Sequence, residues 1–142
     1  MTYLEKLTQI IELALIEDRA LKDATSDCTL NDDYQVNFVI NARQDIILSG
    51  VDCISICFEK LKNSHKFANN PINYEIKSKD GDFISKGESI LIGSGSAKLV
   101  FAAERVILNC LQHMSGVSTL THQFISTLND DSIKILDTRK TT

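Results

Sequence analysis

The sequence predicts an α+β domain followed by the start of an α/β unit. Three observations indicate this fold class: an amphipathic helical repeat at the N-terminus, short alternating strands with glycine turns in the middle, and a C-terminal order of helix, helix and strand. We expect residues 1–114 to form the first domain and residues 115–142 to begin the second. The length of 142 residues allows a real core, and the net charge of −4 provides no overall basic field for nucleic acid.

The first half of the chain combines two helices with a strand. Apolar residues recur at helical spacing over residues 3–17, which predicts an amphipathic helix with Leu4 and Ile10 among its buried positions. The polar stretch KDATSD then interrupts the pattern as a turn. QVNFVINAR alternates apolar and polar residues and predicts a half-buried strand, which DIILSG continues or pairs with. VDCISICFEKLKN returns to helical spacing.

Glycine turns separate the strands that follow. Asp80-Gly81 and Lys86-Gly87 are favourable turn pairs between short strands. We interpret LIGSGSAK as another turn, because it lacks the Gly-Lys-Ser/Thr spacing of a Walker phosphate loop.

Two helices and a strand are predicted for the C-terminal part. Helical spacing runs from Ala97 to about position 111, and Ser115 is expected to cap a second helix over about 117–128. Residues 133–136, IKIL, then predict a short apolar strand such as those that begin parallel α/β units. We expect the region after Ser115 to be weakly supported, because its apolar helix face and its strand lack partners.

Candidate binding residues follow that strand. Arg139 and Lys140 come next after Asp137 and Thr138, and ligands of α/β folds bind at the carboxyl ends of parallel strands. Two adjacent cations would suit a carboxylate or a phosphate, whereas a frayed basic tail is the alternative. The three histidines are scattered, so we assign no catalytic residue and no metal ligand in this chain.

The sequence also favours a cytoplasmic protein that does not enter a membrane. Its apolar runs are far shorter than the roughly 20 residues of a membrane span. Its first residues lack the basic start and continuous apolar stretch of a signal peptide. We interpret the four cysteines as small buried thiols in a reducing compartment.

Five segments, taken in order, resemble quinolinate phosphoribosyltransferase, the decarboxylating enzyme of de novo NAD synthesis. AAERVILNCLQHMSGVST is similar to the family's helix Glu-Arg-x-x-x-Asn followed by Ser-Gly-Ile-Ala-Thr, and LDTRKTT is similar to its Thr-Arg-Lys-Thr motif. The resemblance extends through ALIEDRALKDATS, ARQDIILSGVD and DGDFISKGESIL. Lys22 and Ile46 stand where the family commonly has glycine.

The resemblance implies a fold, a reaction and a set of substrate-binding residues. The family continues into an α/β barrel, so this sequence would contain only the first helix-strand unit of a truncated barrel. By the resemblance, Thr138, Arg139 and Lys140 match the substrate-binding triplet, and Arg105 matches an arginine that reaches quinolinate in the partner subunit's site. The implied partners are quinolinate, phosphoribosyl pyrophosphate and a second copy in a homodimer.

The resemblance also implies what this chain lacks. Mg²⁺ would accompany phosphoribosyl pyrophosphate, with its ligands in the rest of the barrel, and we expect the isolated chain to be inactive. A separate second chain that supplies the barrel is one open alternative. The others are a non-catalytic remnant or dimerisation module of the family, and a member of the related molybdenum-transport family.

Overall fold

The computed structural model describes residues 2–128, 130, 132–136 and 138. Within these residues the structure confirms the predicted α+β fold. A short 3-10 turn at Ala20–Lys22 follows the first helix. The helices and strands are, in chain order, α1 (Tyr3–Glu17), α2 (Ala24–Thr29), β1 (Gln35–Asn41), β2 (Ile46–Ile47), α3 (Asp52–Lys62), β3 (Ile72–Ile76), β4 (Phe83–Ile84), β5 (Ser89–Ser96) and α4 (Ala97–Leu128).

The main sheet is antiparallel and has β5 at its centre, in the order β1-β5-β3. The interpretation of LIGSGSAK as a turn was wrong, because these residues form most of β5 and pass directly into α4. A Cβ at Gly93 would lie 2.4 Å from the Phe38 ring, and one at Gly95 would lie 2.6 Å from the Pro71 carbonyl oxygen. These glycines therefore allow close packing inside the sheet.

The segment DIILSG contains β2, which belongs to a second, two-stranded sheet with β4. β2 pairs with β4 and not with β1. Gly81 and Gly87 both have positive φ, at 90° and 92°, which confirms the two predicted turns.

The core lies between the sheet and the helices α1, α3 and α4. Ile11, Ile54 and Ile107 represent the three helices in this core, and all three are buried. The Phe58 ring of α3 packs on Phe38 of β1 and Tyr74 of β3, with centroid distances of 6.1 and 5.0 Å.

The predicted helix over residues 3–17 is confirmed, but its buried face is narrower than expected. Leu7, Ile11 and Leu15 are buried, whereas Leu4 and Ile10 are exposed. A single helical stripe faces the core, and Leu4 and Ile10 lie off that stripe.

KDATSD is a helix start and not only a turn. Asp23 precedes α2, and its carboxylate accepts hydrogen bonds from the backbone N–H and the hydroxyl of Ser26. This capping lowers the pKa of Asp23 and stabilises the first turn of α2.

The expected break at Ser115 is also wrong, because α4 is continuous from Ala97 to Leu128. Ser115 is buried, and its hydroxyl accepts a hydrogen bond from the Ser49 N–H at 3.0 Å and donates to the Ser49 carbonyl at 3.2 Å. It joins α4 to the segment after β2 and does not cap a helix.

The predicted strand at residues 133–136 is not a strand in the structure. Ile133, Ile135 and Leu136 are exposed, and no pairing partner for them lies among the described residues. A strand is stabilised by the hydrogen bonds of its neighbours, so an unpaired apolar segment does not form one. The boundary between residues 1–114 and 115–142 stays a prediction.

Among the helices in the described part of the chain, none is long and apolar enough to cross a membrane.

Candidate functional site

Of the four predicted binding residues, the structure gives detailed surroundings for Arg105. Arg105 lies on α4, and Thr138 is described as an exposed residue. Arg139 and Lys140 lie outside the described residues. The structure therefore does not test whether the triplet meets Arg105, and the site that can be built from geometry is the one around Arg105.

The Arg105 side chain makes a short ion pair with Asp18. Its Nη1 donates to Asp18 Oδ1 at 2.7 Å, across 87 positions of sequence. The Arg105 side chain is 74% exposed, whereas that of Asp18 is only 18% exposed. A largely sheltered carboxylate thus holds a guanidinium that remains open to a ligand.

Asp18 is fixed by the end of α1. Its backbone N–H donates to the Ala14 carbonyl at 2.9 Å, as the last bond of the helix. The next residue, Arg19, has φ 55° and lies in the left-handed region. Few non-glycine residues adopt this conformation, so the turn after Asp18 is under backbone strain.

A cleft of about 510 Å³ surrounds this ion pair. It lies between the turn after α1 and the first half of α4. Its charged lining residues are Asp18, Arg19, Lys22, Asp23, Glu104 and Arg105. Positive and negative side chains line the cleft in equal number. The neighbouring carboxylates therefore partly neutralise the cations that an anionic ligand would contact.

The sequence predicted Arg105 at this site but missed Asp18 and Arg19. Both lie in the segment ALIEDRALKDATS, whose acidic residues, Asp18 among them, are expected from the sequence to belong to a solvated loop and not to a metal site. The adjacent Glu-Asp-Arg charges were the available signal. Their proximity to Arg105 depends on how α1 packs against α4, which no local pattern reveals.

A second, larger groove of about 750 Å³ runs between β1 and α4. Phe38, Phe101, Leu108 and Leu111 give it an apolar lining, with Arg43 and Glu104 also present. Its composition suits apolar packing more than chemistry on a charged substrate.

The thiols do not form a metal site. Within the described residues, no group of three or more His, Cys, Asp or Glu side chains could hold a metal ion. Cys53 and Cys57 are buried as expected, whereas Cys28 is exposed and Cys110 is half-buried. A hydrogen bond between Cys53 and Cys110 raises the pKa of Cys53 and lowers that of Cys110, so Cys110 is the more acidic thiol of the two.

Comparison with known proteins gives a consistent set of matches. The family model described as quinolinate phosphoribosyl transferase, N-terminal domain, matches residues 23–115. The probable nicotinate-nucleotide pyrophosphorylase (carboxylating) of Bacillus subtilis is 32% identical over 137 residues, which are 96% of this chain and 45% of that relative. A chloroplastic nicotinate-nucleotide pyrophosphorylase (carboxylating) from Arabidopsis thaliana is 37% identical over 136 residues, which are 95% of this chain and 36% of that relative.

Solved structures agree with these relatives. The crystal structure of nicotinate-nucleotide pyrophosphorylase from Ehrlichia chaffeensis superposes with a TM-score of 0.84 at 34% identity, covering 100% of this chain and 48% of that one. This chain thus spans less than half the length of each of these three proteins. The matches give no support to the molybdenum-transport alternative.

Proposed function

The chain belongs to the quinolinate phosphoribosyl transferase family, and from that premise we propose that it provides the N-terminal part of a decarboxylating quinolinate phosphoribosyltransferase. The observation that carries the proposal is the family-model match over residues 23–115, which includes Arg105. The names of the Bacillus and Arabidopsis relatives describe the same reaction in its reverse direction, in which nicotinate nucleotide is cleaved by pyrophosphate and carboxylated.

The proposed reaction joins quinolinate to phosphoribosyl pyrophosphate. The pyridine nitrogen of quinolinate attacks the anomeric carbon, pyrophosphate leaves, and the loss of carbon dioxide yields nicotinate mononucleotide. The quaternised ring nitrogen accepts the electron pair that decarboxylation releases. Because the pyridine is itself the nucleophile, the protein mainly needs to orient two anionic substrates and stabilise charge.

Arg105 is the residue of the described structure that best fits this requirement. A guanidinium can hold a carboxylate through two parallel hydrogen bonds. One of its nitrogens donates to Asp18, and its exposed face stays available for a substrate carboxylate. We propose that it serves the site of a partner copy in a homodimer, while Thr138, Arg139 and Lys140 serve the site of their own chain.

Mg²⁺ and the location belong to the proposal as well. Mg²⁺ would accompany the pyrophosphate of the donor substrate, but the described residues offer no cluster that could hold it. We therefore derive no step through the metal.

Free cysteines suit a reducing compartment, which supports a cytoplasmic location.

We propose that the chain alone does not catalyse the reaction. Catalysis requires the pyridine nitrogen to be held about 3–3.5 Å from the anomeric carbon, which needs walls around both substrates. The Arg105 side chain in the cleft is largely exposed, and water there weakens each ion pair.

The test is an assay of the purified chain with quinolinate, phosphoribosyl pyrophosphate and Mg²⁺, in which nicotinate mononucleotide is measured. We expect no product above that of an Arg139→Ala control. Product clearly above this control would show that the chain is a complete catalyst and that this part of the proposal is wrong.

A non-catalytic dimerisation module is the second candidate, and one observation favours it. The chain covers less than half of the Bacillus and Ehrlichia proteins, yet its described residues form an α+β fold with a common core. A chain that forms dimers but shows no activity with any barrel partner would favour this role.

A further inference from the structure

The ion pair between Asp18 and Arg105 indicates a role for Asp18, which is not one of the four binding residues predicted from the sequence. We propose that Asp18 is a positioning residue, which holds the Arg105 guanidinium at the mouth of the cleft so that its remaining N–H groups face an anionic ligand. The use of this arrangement for quinolinate rests on the proposed function. The arrangement itself rests on the geometry of this chain.

The first argument concerns how much freedom Arg105 would otherwise have. An arginine side chain loses much rotational entropy when it is ordered, and one that is 74% exposed has few packing contacts to order it. The 2.7 Å contact from Nη1 to Asp18 Oδ1 is therefore its main restraint. That contact uses one of five N–H donors and leaves the others for a ligand.

The second argument is that Asp18 is a rigid anchor. The end of α1 fixes its backbone through the bond to the Ala14 carbonyl. Arg19 reverses the chain in the left-handed conformation, and the Lys22 N–H then donates to the Arg19 carbonyl at 2.7 Å. Strain of this kind often occurs at binding sites, where the surrounding structure maintains it.

The third argument is that Asp18 has two effects of opposite sign on anion binding. Its negative charge repels an anionic ligand, so its removal would tighten binding if charge alone mattered. Its hydrogen bond orders Arg105, so its removal would weaken binding if positioning mattered more. Asp18→Ala removes both the charge and the oxygen that accepts the Arg105 hydrogen bond. The sign of its net effect on anion binding therefore shows which of the two roles is larger.

The experiment is nuclear magnetic resonance of the ¹⁵N-labelled chain, which reports the order of each arginine Nε–H group. We expect the Arg105 Nε–H to be more ordered than that of exposed Arg43, and Asp18→Ala to remove the difference. Asp18→Glu, which keeps the charge, should restore part of the order. Glu12→Ala is the matched control, because it removes the Lys60–Glu12 ion pair at 3.3 Å, which does not involve Arg105.

Titration with millimolar quinolinate supplies the second readout. We expect binding to Asp18→Ala to be about twofold to fivefold weaker than to the unaltered chain, in line with the loss of one exposed ion pair. Tighter binding to Asp18→Ala, or an Arg105 Nε–H as mobile in the unaltered chain as in the variant, would overturn the inference. If Arg105 is ordered by Asp18 but no chain binds quinolinate, the positioning role stands and the proposed substrate fails.

Discussion

Gly93 lies where the packing of the central strand leaves no room for a side chain. A Cβ there would be 2.4 Å from the Phe38 ring and 2.6 Å from the Asn73 carbonyl oxygen. We predict that Gly93→Ala lowers the free energy of unfolding by about 1–3 kcal/mol, because β1 and β3 must move away from β5. Urea denaturation measures this change.

Gly116 provides the matched control in the same measurement. It lies inside α4, and a Cβ there would meet nothing within 4 Å. Gly116→Ala should raise the free energy of unfolding by about 1 kcal/mol, because alanine has the higher helix propensity. Equal effects of the two substitutions would contradict this account of β5.

At the residue scale, the sequence predicted those features that depend on near neighbours. The turns at Gly81 and Gly87 were correct because a turn is a local structure. LIGSG was misread because the groups that require its glycines, Phe38 and Asn73, come from two other strands. Arg105 came from the family resemblance, whereas Asp18 required the packing of α1 on α4.

At the element scale, α4 extends beyond the body of the domain. Ser115 and Thr119 attach it to the β2 region, where Thr119 Oγ1 accepts a hydrogen bond from the Ile47 N–H at 2.9 Å. Beyond this point its apolar residues face solvent, namely Leu120, Phe124, Ile125 and Leu128. A lone helix of this length is marginal in water, so we expect this part of α4 to gain stability from a partner.

Hydrogen exchange tests this description of α4. We predict strong protection of α4 up to about Thr119 and weak protection beyond it in a monomer. Thr119→Val removes the hydrogen bond to Ile47 without changing the side-chain shape, and should move the boundary of protection toward Ser115. Thr127→Val is the control, because the Thr127 hydroxyl donates to the carbonyl of Gln123 in its own helix and, among the described residues, bonds no other segment.

The opposite result is equally clear. Strong protection of α4 up to Leu128 in a verified monomer would mean that its exposed apolar residues need no partner.

The sequence predicted that the region after Ser115 is weakly stabilised, but it also placed a helix break there, because serine commonly caps helices. Only the contact with Ser49, 66 positions away, shows that this serine serves another purpose.

At the scale of the whole molecule, we predict a homodimer. The apolar residues exposed on α4 and the apolar groove between β1 and α4 offer surface for association. Sedimentation at micromolar concentration checks the prediction. A chain that stays monomeric would remove the argument that Arg105 serves a neighbouring site.

The central claim is that this domain contributes Arg105 to an active site completed by a barrel. The most direct measurement mixes this chain with the remaining part of the Bacillus subtilis relative, produced as a separate polypeptide, and follows nicotinate mononucleotide formation. Co-elution of the two polypeptides verifies that a complex forms. We predict product only from the mixture, and a rate about 10- to 100-fold lower with Arg105→Ala, since hydrogen bonds to charged groups contribute roughly 1.5–3 kcal/mol. A verified complex that is inactive, or one that works equally fast with Arg105→Ala, would contradict the claim.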